Sequence, residues 1–263
     1  MKTLALFFIV LFSLGGILPV ARADQTNIAE DDASQDAYKD GFDTGKNGGT
    51  GFDAWKMTAE ATGDDQHAGF FVATTDNNKD LNGIASSGKA WGFYANGSGF
   101  EQAVAYRAFK APLAVGDSFS FMMEHGRIEQ KFDKDDPAGG SIGLTLRTSN
   151  ASDSPNDYNK DAVFEIGFYK GKENYQIYDG SGDDKTDSGV AFTDAGITVT
   201  VTITGDDTYD LEIQTMSDKK LTKLPGRKLK AAGPIQSLAI FDRNGEKYDA
   251  FFNSLQVARE NKQ

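Results

Sequence analysis

Gly196-Ile197-Thr198-Val199-Thr200-Val201-Thr202-Ile203-Thr204-Gly205-Asp206-Asp207-Thr208-Tyr209-Asp210-Leu211-Glu212-Ile213-Gln214-Thr215-Met216 is the stretch that decides the fold. Ile197, Val199, Val201 and Ile203 alternate with Thr198, Thr200, Thr202 and Thr204. After the turn Gly205-Asp206-Asp207, Tyr209, Leu211 and Ile213 alternate with Asp210, Glu212 and Gln214. A period of two places successive side chains on opposite faces of a strand. The spacing predicts an antiparallel hairpin with one buried and one wet face. β-Branched threonine on the wet side suits a pleated surface.

The same period recurs on both sides of the hairpin. Gly69 to Thr74, Ala90 to Ala95, Ser118 to Met123, Ile142 to Leu146, Val163 to Phe168, Ile235 to Phe241 and Ala250 to Val257 are further strand-like runs. Turn signals rich in Gly, Asn and Asp separate them every 8–15 residues, and 29 Gly stand against 6 Pro. About a dozen strands and no long amphipathic helix predict an all-β chain: a single antiparallel β-sandwich of jelly-roll type. The sandwich is expected over residues 37–257, with 24–36 an acidic disordered segment and 258–263 a polar tail. Residues 24–36 hold too few large apolar groups to offset the chain entropy lost on ordering. The basic stretch Lys219 to Lys230 contains Pro225 and Gly226 and reads as a loop or edge strand whose lysines blunt edge pairing. A docking patch for an anionic polymer is the other reading of those lysines.

Residues 1–23 have the anatomy of a secretory signal peptide. Met1-Lys2 is a positive start, Leu4 to Val20 is mostly apolar, and Ala21-Arg22-Ala23 offers a cleavage site. The mature chain is then expected to begin at Asp24 and to be exported, to the extracellular space or a periplasm. Without Lys2 and Arg22 it holds 25 basic and 39 acidic residues, a net charge of −14. That balance argues against nucleic acid and against anionic membrane surfaces, both of which need basic patches. No second apolar run is long enough to span a bilayer. There is no cysteine, so thiol chemistry and cysteine-ligated zinc are excluded, and two histidines cannot build a three-histidine zinc site.

Several phrases carry a resemblance. They are Gly41-Phe42-Asp43-Thr44-Gly45, Asn47-Gly48-Gly49-Thr50-Gly51-Phe52 with Trp55, and Gly88-Lys89-Ala90-Trp91-Gly92-Phe93-Tyr94-Ala95-Asn96. Asn174-Tyr175-Gln176-Ile177-Tyr178-Asp179-Gly180, Gly189-Val190-Ala191-Phe192-Thr193-Asp194 and Phe251-Phe252-Asn253-Ser254-Leu255 continue it. Together they resemble a family of secreted bacterial β-sandwich proteins that often carry C-terminal sorting tails or occur in adhesin-like contexts. The resemblance covers nearly all of residues 37–257 and implies a concanavalin-like jelly roll with an exported role. It implies no catalytic residue, and this chain departs from it in lacking a hydrophobic sorting tail.

Three chemistries compete. Asp76, Asn78, Asp80 and Asn82 place oxygens at alternate positions of one loop, a pattern that suits Ca²⁺ with its 6–8 oxygen ligands. Asp179 to Asp184 and Asp133 to Asp136 are similar clusters, and the plain alternative is that Asp, Asn and Gly make turns. A bound calcium would be structural. Trp91, Tyr94, Tyr175 and Tyr178, with Trp55 beside them, are candidates for stacking on a sugar, against the alternative that large rings fill the core. Trp91 and Tyr94 are three apart on one strand and must face opposite ways, so one of them points outward. For catalysis, Glu124-His125-Gly126-Arg127-Ile128-Glu129 groups an acid, a base and a cation, and Phe168 to Gln176 faintly resembles a lyase strand carrying Tyr and Gln. Neither is a convergent acid–base set. The expectation is a secreted, non-catalytic binding, matrix or adhesion protein that recognises a polysaccharide or another surface component. The rival is a secreted polysaccharide-degrading lyase or glycosidase.

Overall fold

The hairpin at Gly196–Met216 folds as the alternation predicts. In the computed structural model, β11 (Ile197–Ile203) pairs antiparallel with β12 (Thr208–Thr215), from Ile197 opposite Thr215 to Ile203 opposite Tyr209. Ile197, Val199, Val201, Tyr209, Leu211 and Ile213 are buried, while the threonines between them stay partly exposed. The structure describes residues 25–261 apart from 63–66, 98, 127, 129–138 and 245–247. The signal peptide therefore lies outside the described residues, as do Arg127, Glu129 and the Asp133–Asp136 cluster.

Two antiparallel sheets form the sandwich. The first runs β13 (Leu221–Lys228), β12, β11, β6 (Asp117–His125), β15 (Ala250–Glu260), β4 (Lys89–Asn96), β3 (His67–Thr74). The second runs β10 (Thr186–Ala191), β9 (Asn174–Tyr178), β8 (Ala162–Tyr169), β7 (Ser141–Arg147), β14 (Ile235–Arg243), β5 (Phe100–Leu113), β2 (Lys56–Thr62). Phe119, Phe121 and Met123 of β6 face Leu144, Leu146, Ile166 and Ile240 of the other sheet within one apolar core. The lysine-rich β13 is an edge strand, one of the two readings of that stretch.

Of the expected tail at 24–36, the described residues 25–36 are ordered against the sandwich. β1 (Gln25–Asp31) pairs antiparallel with β15, with Gln25 opposite Glu260 and Asp31 opposite Leu255. Composition misleads here because the acids are met one by one. Asp31 is buried against Arg107, and Thr50 exchanges backbone hydrogen bonds with Glu30 at 3.0 and 2.9 Å. Gly49 and Gly51 let that loop lie against the strand. A Cβ at Gly49 would overlap Glu30 O, and Gly51 has φ +75. The expected tail at 258–263 is corrected over 258–260 for the same reason, and 262–263 lie outside the described residues. Ala258, Arg259 and Glu260 belong to β15, and Arg259 forks onto Asp117 at 2.7 Å through both Nε and Nη2.

Loops seal the outer faces. Leu81 and Ile84 of the β3–β4 loop pack with Ala73, Ala90 and Phe251 on the outside of the first sheet. Glu124 anchors that loop by accepting from the backbone N–H of Asn82, Gly83 and Ile84 at 2.8, 2.9 and 3.1 Å. Asn253 ties three segments together: its Oδ1 accepts from Ala33 N, and its Nδ2 donates to Ile84 O and Lys89 O. On the second sheet the β7–β8 loop, residues 148–161, lies across the outer face. Tyr106 donates to Ser154 O at 2.6 Å, Thr145 to Tyr158 O at 2.7 Å, and Arg147 to Lys160 O and Asn150 O at 3.1 and 3.0 Å.

Candidate functional site

The sequence-derived aromatic candidates separate by burial. Trp91 points into the core, fully buried, with its ring 5.3 Å from Trp55 and 5.5 Å from Tyr38. Trp55 is equally buried, and its Nε1 donates to Tyr38 OH at 3.0 Å. Tyr175 is buried between Phe168 and His125. These three rings fill the interior because they occupy inward positions of the fold, and they cannot stack on a ligand. Tyr94 is the outward member of the Trp91–Tyr94 pair and is half-buried over Gly69, on the outer face of the first sheet. Tyr178 is half-buried on the outer face of the second.

The calcium reading meets a different difficulty. Asp76, Asp80 and Asn82 are exposed, and Asn78 Oδ1 accepts from Thr74 N within the turn. Among the described residues no group of three or more acid or imidazole side chains is placed to share a metal ion. In the Asp179–Asp184 cluster, Asp179 is occupied by Arg227, at 2.7 and 3.1 Å, and by the Tyr209 hydroxyl. Asp76 and Asp80 belong to no such metal-sharing group, and the buried carboxylate of Glu124 fixes that loop from beneath. Glu124→Gln should therefore lower stability by about 1–3 kcal/mol, since the amide nitrogen cannot accept and leaves at least one of these backbone N–H groups unpaired. Millimolar calcium should leave the melting temperature unchanged. A chelator-reversible rise in melting temperature would restore the cation site.

The Glu124–His125 group is not a catalytic set either. Glu124 is spent on the loop, and His125 faces inward among Phe168, Tyr175 and Phe192. Its Nδ1 lies 2.7 Å from Gly126 O, and burial pulls its pKa down to about 4.

Polar groups do converge on the outer face of the second sheet, where strand register brings distant segments together. Tyr169 lies opposite Ser141, Ser141 opposite Arg243, and Arg243 opposite Gln102. Four residues along, Tyr178 lies opposite Glu165 and Glu165 opposite Thr145. Between these rows sit Gly143 and Gly167, which carry no side chain. Tyr169 reaches across that gap and donates its hydroxyl to Glu165 Oε1. Arg243 Nη1 donates to Tyr158 OH at 3.0 Å, and the Tyr158 ring packs 4.6 Å from Phe241, where the 148–161 loop ends.

Two exposed lysines complete the site. Lys230 Nζ lies 2.9 Å from the centre of the Tyr178 ring, and Lys185 Nζ lies 5.2 Å from that ring and 4.7 Å from Tyr169. Such placements draw an ammonium onto the negative face of a ring. Tyr178 thus offers charge to solvent more than a bare apolar face. Burial raises the Glu165 carboxyl above its ordinary range, opposed by the Tyr169 hydrogen bond and by Lys185, Lys230 and Arg243. Burial, with Glu165 adding to it, raises the Tyr169 hydroxyl well above its own. An open cleft at the β5–β6 turn, about 560 Å³, is lined by Leu113, Val115, Ile203, Leu229 and Ile235 with Asp206 its single ionisable group, so no set of polar groups converges there.

The sequence named only Tyr178 of this site as a ligand candidate. Glu165 shows in its alternating run, and Tyr169 in the Phe168–Gln176 stretch. Lys230 ends the basic Lys219–Lys230 stretch, one reading of which is a docking patch for an anionic polymer, while Arg243, Tyr158 and Lys185 carry no local signal.

No family model and no curated protein matches the chain. Among solved structures, it is similar to the exoplasmic/lumenal domain of VIP36 in its Ca²⁺-bound form, at 9% identity over 80% of this chain and 84% of that one, with a TM-score of 0.41. It is similar to the carbohydrate esterase vb_24B_21 from Shiga toxin-encoding bacteriophage phi24B, at 11% identity over 78% and 90%, TM-score 0.44. The legume lectin-like domain from Entamoeba histolytica matches at 11% over 72% and 88%, TM-score 0.41. The likeness covers the two-sheet sandwich, and no residue role passes from those structures to this chain.

Proposed function

We propose that this is an exported, non-catalytic carbohydrate-binding protein of extracellular matrix or adhesion type. The proposed site is the outer face of the second sheet around Glu165, Tyr169, Tyr178, Arg243, Lys185 and Lys230. The observation that carries the reading is the convergence of donors, hydroxyls and one carboxyl beside half-buried rings on an otherwise regular sheet. Sugars present hydroxyls at close spacing, and a few fixed polar groups beside rings supply orientation. Export rests on residues 1–23.

Tyr178→Ala removes the ring that positions both ammoniums. It should weaken binding to the cognate polysaccharide about tenfold, about 1.4 kcal/mol, as read by affinity electrophoresis or a glycan array. Tyr94→Ala, on the opposite face of the sandwich, should leave affinity unchanged. The reverse pattern would move the site to the first sheet.

A polysaccharide-degrading enzyme is the second reading, and one observation favours it. Glu165 is a carboxyl held partly toward its protonated form, as a general acid requires. The groups acting on it are a tyrosine and three cations, not the second carboxyl that glycoside hydrolysis uses. Release of reducing ends or unsaturated products, abolished by Glu165→Gln, would establish the enzyme.

A further inference from the structure

We infer that the polymer taken by this face carries carboxylates: a uronate-type polysaccharide whose acid groups sit against Lys185, Lys230 and Arg243. The inference rests on the carbohydrate reading above and names its ligand class. In a chain of net charge −14 without its leader, three cations surround one small area that holds a single buried carboxyl. Neither lysine forms an ion pair among the described residues, and both are exposed. Their ammoniums are held by rings instead: Lys230 by Tyr178, and Lys185 by Tyr178 and Tyr169. Arg243 is pinned by Tyr158 and lies 5.5 Å from the Phe100 ring, and its Nε is buried without a hydrogen-bond partner among the described residues.

Cation–π contact leaves the N–H groups that point away from the ring available to an acceptor, so an arriving carboxylate gains charge-assisted bonds without first breaking an ion pair. A neutral glycan would leave these charges unanswered. Burial raises Glu165 away from its ionised form, which lowers the repulsion an incoming anion meets. The strongly acidic remainder of the surface disfavours a long phosphodiester such as DNA, which needs an extended basic track.

The test uses the full mature chain with polygalacturonate and alginate, each beside its esterified form, and with dextran and duplex DNA. Binding to an acid form should be at least tenfold tighter than to its ester. It should weaken severalfold between 50 and 500 mM NaCl, because exposed charges are screened. The double variant Lys185→Ala, Lys230→Ala should lose at least tenfold on the acid form and nothing on the ester, and Lys185→Arg with Lys230→Arg should keep most of the affinity. Equal affinity for acid and ester, untouched by the lysine variants, overturns the inference and leaves the carbohydrate reading standing. No binding to any glycan overturns both. Binding to DNA as tight as to the uronates makes the face a general polyanion site and overturns the saccharide assignment.

Discussion

Arg107→Ala is expected to destabilise the protein by about 3–5 kcal/mol, the cost of leaving a buried ion pair with one partner. Arg107 is fully buried in β5, and its Nη1 pairs with Asp31, whose side chain is equally buried. Its Nε donates to Asp53 O at 3.0 Å and its Nη2 to Asn47 Oδ1 at 2.6 Å. The guanidinium lies 4.7 Å from both the Phe52 and Trp55 ring centres. Tyr38 donates its hydroxyl to Asp31 and accepts from Trp55 and Gly48. One side chain thus holds β1, the Asp36–Tyr38 turn and the Asn47–Trp55 loop to the sandwich. Removing it strands the Asp31 charge and opens a cavity between two rings. For a domain of this size each kcal/mol is worth roughly 2–4 °C of melting temperature. The loss should therefore exceed about 6 °C, with new proteolytic cleavage ahead of residue 56. Arg107→Lys should lose nearly as much, because a point charge cannot reach three acceptors in a plane. The pair Asp31→Leu, Arg107→Met should recover part of the loss, since it removes both charges. A melting temperature unmoved by Arg107→Ala would show that the N-terminal segment is held by β1–β15 pairing alone.

This network marks where the sequence stops being legible. β6, β11 and β12 could be read residue by residue because one face is apolar and the other is Ser, Thr or acid. β5, the longest strand, could not. Its inward positions include Glu101, Ala103, Ala105 and Arg107, and its outward Val104 and Tyr106 are buried beneath the 148–161 loop. With both faces buried and one of them partly charged, no period of two survives in hydropathy. β1 was hidden for a related reason, since the partner of its Asp31 lies 76 residues away. The aromatic candidates show the same limit. Parity put Trp91 and Tyr94 on opposite faces, but only the packing of Phe42 and Tyr38 says which is inside. The candidate site is created by register among β7, β8, β9 and β14 and by a lysine from each of two loops. No local pattern encodes that meeting.

Asp242→Asn is expected to raise stability at neutral pH by at least about 1.4 kcal/mol, the worth of a tenfold tighter hold on the proton in the fold than in the unfolded chain. Asp242 points inward from β14 and is fully buried, and neither carboxyl oxygen has a hydrogen-bond partner among the described residues. Burial raises its pKa well above the ordinary aspartate value, and Asp249 and Glu101 add to the rise. All three influences act in one direction. An acid whose folded pKa is raised binds its proton more tightly when folded. Stability is therefore highest below the unfolded value near 3.8 and falls as pH climbs from there through the folded pKa. Asparagine has the same shape and never ionises. The gain over wild type should be small near pH 3.5, grow with rising pH and level off once Asp242 would be ionised in the fold. Urea denaturation of both proteins across pH 3.5–8 reads this directly. A gain that is constant with pH would mean that the substitution stabilises by packing alone. A loss at neutral pH would mean that the carboxylate is used, by a cation or a donor, in the protein's working state.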